Sequence, residues 1–347
     1  MSETLSDIFE RFAKDEFHNS SPLYERLSRG VAQDSELLAL AAHCRKGERV
    51  PNLFFAAVHY LLLTGVSHPL ARFYKSLGGS FDGHDDPMTD FRSFCLQQIE
   101  RIRELIAVRL VQTNEVSRCA GLMPVFAAAA KHIHGRPLYL VDIGASAGLN
   151  LFWDHYGYKY GDRLEGGDRN SPVQIECALS GPNLPPLPVD FPRVIARVGV
   201  DLNPLDVRIE EDALWLRALI WPEHEKRAAL LRNAIEVVRR QSLTLLAGDG
   251  VELLPEIMKA VPLDSVLVIV RIFTRIPQQS RERWSALTAE YGAKRDLIMI
   301  TARPHGGDDS ELVVNSFVNG RRNEQSLACM QNHGDWIEWL SWLNFPR

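Results

Sequence analysis

The hydrophobic period of this chain changes once, near Arg136, and that change limits the fold more than any single motif. Before it, apolar residues recur every three or four positions and β-branched alternation is almost absent, which is the pattern of packed amphipathic helices. Ser21-Pro22 supplies an N-cap and a proline at the first helical position ahead of Leu23, Leu27 and Val31. Asn52 precedes an apolar run from Leu53 to Leu62 that Gly65 stops. Between Asp90 and Leu110 the stripe Cys95, Ile99, Ile102 and Ile106 predicts one continuous helix. Another is expected from Thr113, as cap, through Val116, Leu122 and Phe126 to the alanines at 127–130.

After Arg136, short apolar runs alternate with helical stretches. Strands are predicted at 138–143, 194–200, 243–247, 265–272 and 296–301, and helices at 148–156, 210–220, 223–240, 251–259 and 279–291. That rhythm predicts an α/β fold: a Rossmann-like, doubly wound, mostly parallel sheet over residues 136–347, preceded by an all-helical domain at 1–135. A proline- and glycine-rich insertion at about 157–193 reads as a loop with one edge strand around Val173 to Leu179. Beyond Pro304 the chain is expected to turn into a C-terminal β-hairpin through Asn319-Gly320. Trp215, Trp221, Trp336, Trp339 and Trp342 are expected to pack in the core or the hairpin.

Composition narrows the partners. The 39 basic and 44 acidic residues leave a net charge of −5, so no basic surplus announces nucleic acid or an acidic membrane. The five cysteines, at 44, 95, 119, 177 and 329, are scattered and never form Cys-x-x-Cys, so neither a disulfide framework nor a metal site is expected. The start lacks the basic and apolar regions of an export signal, and the apolar stretch at 53–63 is short and interrupted by His59. A cytoplasmic protein acting on a small molecule is the expectation.

Chemistry concentrates where parallel strands end, because such sheets bind ligands beyond their carboxyl edges. Leu140 to Asn150 is a buried strand running into a small-residue turn, Gly144-Ala145-Ser146-Ala147-Gly148, that opens a helix. Gly144 permits the tight turn, and the helix start is expected to offer free N–H groups. Asp201 ends the second strand, where it can accept ribose hydroxyls, and Asp249 ends the third, within reach of an adenine amino group. The order of a glycine turn, Asp and Gly-Asp resembles the S-adenosylmethionine site of class I methyltransferases. The cofactor contacts so implied are Asp142, Gly144, Ala145, Ser146, Gly148, Asn150, Asp201, Asn203 and Asp249. Asp201 lies further from Gly144 than the about 20 residues of a simple dinucleotide unit, an excess that the insertion accounts for.

The whole chain also resembles a bacterial family known as domain of unknown function 2332. The resemblance rests on 21–27 (Ser-Pro-Leu-Tyr-Glu-Arg-Leu), 51–60, 112–119, 144–150 and 200–204 (Val-Asp-Leu-Asn-Pro), and so covers nearly all of the chain. It implies a methyltransferase-like fold and supplies no reaction.

For the acceptor side, Asn114, Glu115 and Arg118 place three polar groups within one turn; a capping box headed by Thr113 explains them equally well. Glu115 as a base and Arg118 as an anion clamp are catalytic candidates, with His59 and His305. Tyr156, Tyr158 and Tyr160 could stack on a substrate or simply pack. The Asn/Asp-Pro-Pro-aromatic motif of amine methylation is missing after the fourth strand, which leaves Arg271 and Thr274, in the segment 270–275, as substrate contacts. Two other functions fit the residues: a hydrolase using Ser146 in Gly-x-Ser-x-Gly, and a catalytically silent binding protein.

Overall fold

The computed structural model describes residues 3–341 other than 131, 132, 134, 189 and 275, so Arg275 and Trp342 lie outside the described residues. The chain divides into two compact units, residues 1–113 with 208–232 and residues 114–207 with 233–347. The helical region therefore stops at Thr113 instead of 135, and it takes back a later segment. The reason is the helix Cys119–Ala130, which is buried along its described length and packs with strands of the sheet.

In the first unit Ser21 caps the helix Pro22–Val31 through a bond from Tyr24 N–H, as its sequence predicts. Helix Val50–Leu63 starts earlier than expected, so Asn52 sits in its first turn instead of capping it. The stripe between Asp90 and Leu110 is carried by two helices, Met88–Gln97 and Ile99–Val108, broken where Gln98 leaves helical geometry. The core is aromatic: Phe9, Phe17, Tyr24, Phe54, Phe55 and Phe91 are fully buried or nearly so, and Tyr24 stacks on Phe55 at 4.8 Å. Trp215 is buried beneath its own bond from Nε1 to the Leu110 carbonyl.

The second unit is built on one sheet. Its strands are β1 (Leu138–Ile143), β2 (Gly157–Tyr160), β3 (Leu164–Gly167), β4 (Gln174–Ser180), β5 (Val194–Asp201), β6 (Thr244–Ala247), β7 (Val266–Arg271), β8 (Leu297–Gly306), β9 (Asp309–Val318), β10 (Arg321–Gln331) and β11 (Trp336–Trp339). Among the described residues they run in the order β3-β2-β4-β11-β10-β9-β8-β7-β1-β5-β6. The five strands β6-β5-β1-β7-β8 are mutually parallel, while β8 to β11 form an antiparallel meander. The fold is thus mixed α/β, with a large sheet that is parallel in its core and antiparallel in part. Strand order reverses at β1, with β5 on one side and β7 on the other, which makes the carboxyl end of β1 a topological switch point.

The predicted strands all form, and the hairpin at Asn319-Gly320 is present, with both residues at positive φ (53° and 73°) as its tight turn requires. Two expectations fail. The insertion is not a loop with an edge strand: it contributes β2, β3 and β4, and β4 lies inside the sheet between β2 and β11, leaving β3 as the edge. β8 does not end near Thr301 but continues to Gly306, so His305 lies on an exposed strand arm. The apolar side chains of β1, β5, β7 and β8 that face helix Gly250–Ala260 form the core, among them Val141, Ile143, Val200, Leu267, Ile269 and Leu297. No helix among the described residues is long and apolar enough to cross a membrane.

Candidate functional site

β1 delivers its chain into the turn Gly144 to Gly148, where Gly144, Ser146 and Gly148 all hold positive φ (85°, 52° and 71°). A side chain on Gly144 would collide with the Thr274 hydroxyl, and one on Gly148 would come within 2.9 Å of Leu243. The glycines thus serve close packing by this protein's own side chains. Ser146, as a non-glycine residue, is held there from both sides: its N–H donates to Asp201 Oδ2 at 2.8 Å, and its carbonyl accepts from Leu205 N–H at 3.1 Å.

The expected free N–H groups are absent from this turn. Gly144 and Ala145 donate to the Val200 carbonyl, Ser146 to Asp201, and Gly148 to the Ala145 carbonyl. Ala147 and Leu149 both donate to Asn114 Oδ1, at 3.3 and 3.1 Å. Nor does an α-helix follow. Leu149–His155 is 3-10 in character and kinks at Phe152. The cause is competition for carbonyls: Leu149 accepts from the Tyr156 hydroxyl, Trp153 from that of Tyr158, and Leu151 from Arg197. Arg197 is fixed in turn by a 2.7 Å ion pair with Asp154, nine-tenths buried on both sides. Tyr160 donates to the Ala120 carbonyl, so all three tyrosines serve packing and none is placed to stack on a ligand.

Thr113 does not cap a helix either. The chain stays extended to Glu115, makes a 3-10 turn at Val116–Arg118 and only then enters the helix Cys119–Ala130. The capping box is therefore overturned, and its polar residues turn towards the strand ends. Asn114, Glu115, Asp142, Ser146 and Asn150 are each at least nine-tenths buried. A polar cluster at that depth is costly unless satisfied, so it fixes the geometry of the turn. Asn150 accepts from the Cys119 thiol, whose pKa burial pushes up.

Carboxylates dominate the adjoining strand ends. Burial, with a smaller push from Asp201, raises the Asp142 carboxyl to about 7, against the opposing pull of Arg118. Asp201 takes the amide of Asn203 on Oδ1 at 2.9 Å as well as that of Ser146 on Oδ2. The Asn203 side chain is exposed. Asp249 caps the helix Gly250–Ala260, its Oδ1 accepting from Val251 and Glu252. Ala145 is buried in the turn. At the end of β7, Arg271 donates to the Thr274 carbonyl at 2.6 Å.

Two residues join the site that sequence reasoning missed. His333, in the β10–β11 turn, places Nδ1 3.6 Å from the buried Glu115 carboxylate. The turn is seated by Gly334, whose absent side chain leaves room for the Ser117 carbonyl, and by Arg118 Nε donating to the Asn332 carbonyl at 2.9 Å. Phe273, at φ 60°, lies under the Arg118 guanidinium at 4.1 Å. The one local signal in the sequence is the His333-Gly334 dipeptide just after the run that forms β10. His305 itself is exposed on its strand arm. His59 belongs to the helical unit, where its ring is 1% exposed and bonded to the Ala218 carbonyl and the Ser76 hydroxyl. Burial lowers its pKa to about 4, so it stays neutral in a packing role.

Among the described residues no three His, Cys, Asp or Glu side chains converge as metal ligands. No curated protein and no solved structure matches the chain. The family model described as uncharacterized protein conserved in bacteria (DUF2332) matches residues 6–339. Spanning the helices as well as the sheet, that match shows that the chain belongs to the DUF2332 family.

Proposed function

We propose that this protein is a cytoplasmic S-adenosylmethionine-dependent methyltransferase acting on a small-molecule acceptor. The observation that carries the proposal is the charge and hydrogen-bond state of the switch point. Every N–H from Gly144 to Leu149 is satisfied within the protein, and the carboxyls of Asp142 and Asp201 stand at the ends of β1 and β5, the second accepting from Ser146. A pyrophosphate needs free amides and a positive field, so a dinucleotide fits poorly. A nucleoside carrying a positive sulfonium fits well. Asp201 would take the ribose hydroxyls, since each carboxylate oxygen can accept two hydrogen bonds. Asp249, whose Oδ2 takes no bond from a described residue, would meet the adenine amino group. The strand order β6-β5-β1-β7-β8 supports a class I methyltransferase-like sheet.

Bound S-adenosylmethionine supplies an activated methyl group, and the protein's task is then alignment and exclusion of water. Glu115 and His333 form an acid–base pair suited to receive a proton from an acceptor hydroxyl or amine.

Calorimetric titration with S-adenosylmethionine and S-adenosylhomocysteine tests the proposal. Micromolar binding is expected, near −8 kcal/mol, with at least a hundredfold loss in Asp201→Ala. No heat in the folded wild-type protein overturns it. The hydrolase reading draws on the positive φ of Ser146, a feature of strained nucleophile turns. Ester turnover that disappears in Ser146→Ala would favour it instead.

A further inference from the structure

We propose that the carboxyl edge of β7 carries an oxyanion subsite built on Arg271 and Arg281, which anchors a carboxylate or phosphate group of the methyl acceptor. The word acceptor rests on the methyltransferase proposal; the subsite itself rests on geometry. Arg271 is the last residue of β7, and its guanidinium lies 5.9 Å from the Trp284 ring. One of its nitrogens, Nη1, bonds the Thr274 carbonyl, while Nε is buried with no hydrogen-bond partner.

Charge balance makes this arrangement unusual. Arg283 pairs with Glu252 and Arg303 with Glu324, but no described carboxylate lies within ion-pair distance of Arg271 or Arg281. Burial, with a smaller push from the like charge of Arg281, holds Arg271 below the ordinary arginine range, while Arg281 Nε donates to the Ile276 carbonyl. A half-buried guanidinium without a counter-charge, beside a second cation, is unfavourable in the free protein. An anion bound between the two relieves both penalties, and the arginine fork matches a planar carboxylate or a phosphate. Helix Arg281–Lys294 starts at the same place with no side-chain cap, so the positive end of its dipole adds to the field. Thr274, which covers Gly144, connects this subsite to the β1 turn.

The test is thermal unfolding of the wild-type protein in chloride, phosphate and succinate at matched ionic strength and millimolar anion. A saturable rise of about 5 °C at a hundredfold excess over Kd is expected. A rise with phosphate alone identifies a phosphorylated acceptor, a rise with succinate alone a carboxylate-bearing one, and both support the subsite. Arg271→Met should melt higher than wild type without added anion, because the uncompensated charge is gone, and should show no anion response. Arg271→Lys keeps a charge but not the fork, and should need about tenfold more anion. Equal melting in all three salts, or an undiminished response in Arg271→Met, overturns the subsite. S-adenosylmethionine affinity in Arg271→Met should match wild type, so loss of the methyltransferase proposal and loss of this subsite are separate outcomes.

Discussion

Asn114→Ala should destabilise the protein by about 2–6 kcal/mol, because it strands two buried amides at once. Ala147 and Leu149 are fully buried, and each donates to the same Asn114 oxygen. Removing a shared acceptor leaves both donors without protein or water, and each orphan costs about 1–3 kcal/mol. The two bonds are long for amides, at 3.3 and 3.1 Å, which favours the lower half of the range. Chemical denaturation with an unchanged slope reads the stability loss, and amide exchange at residues 147 and 149 localises it. Asn114→Asp keeps the acceptor and should recover more than half of the loss, less the repulsion from neighbouring Glu115 and Asp142. If Asn114→Ala costs under about 0.5 kcal/mol, the level of an ordinary surface change, Asn114 does not hold the turn.

This dual bond explains which parts of the site were legible in the sequence. Strand positions were, because β1, β5, β6, β7 and β8 are apolar runs set between helical stretches, and periodicity reports burial directly. The carboxyl-edge position of Asp142, Asp201 and Asp249 followed from those strands. What periodicity cannot carry is a long-range side-chain bond. Asn114 is 33 residues from Ala147, and only its reach across the fold converts apparent helix-capping chemistry into an extended segment. The tyrosines mislead for the same reason. Their hydroxyls take the carbonyls of the segment after β1, so a stretch with helical spacing forms a 3-10 path instead. The strands of the insertion escape periodicity because they are short and separated by glycine and proline, and because β4, which carries β2 and through it β3, is ordered by pairing with β11 more than 150 residues further on. His333 was invisible until that pairing brought its turn to Glu115.

Asp142→Asn should stabilise the protein above neutral pH, by an amount that grows with pH and then levels off. The folded pKa of Asp142 is raised from 3.8 to about 7, first by burial and then by Asp201. Raised in the folded state, this carboxyl binds a proton more tightly there than in the unfolded chain. Its stabilising contribution is therefore complete below about pH 4 and is lost as pH rises through 7. Asparagine, isosteric and neutral, does not titrate, so the variant and wild type should unfold alike near pH 4 and diverge up to about pH 7. At pH 8 the gain approaches about 4 kcal/mol at most, from roughly three pKa units at 1.36 kcal/mol each. Asp201 and Arg118 are the charged groups that shift the Asp142 carboxyl, and Asp201→Asn should lower its pKa and shrink the gain. Matched denaturation curves at pH 4, 6 and 8 decide the matter. A gain that does not vary with pH would mean Asp142 stays ionised throughout. On the proposed function a sulfonium at this edge favours the ionised carboxylate. S-adenosylmethionine should then bind more tightly at pH 8 than at pH 6 in wild type, and without that pH dependence in Asp142→Asn. A residue whose charge destabilises the free protein and is matched by a cationic ligand would account for why an aspartate occupies so deep a position.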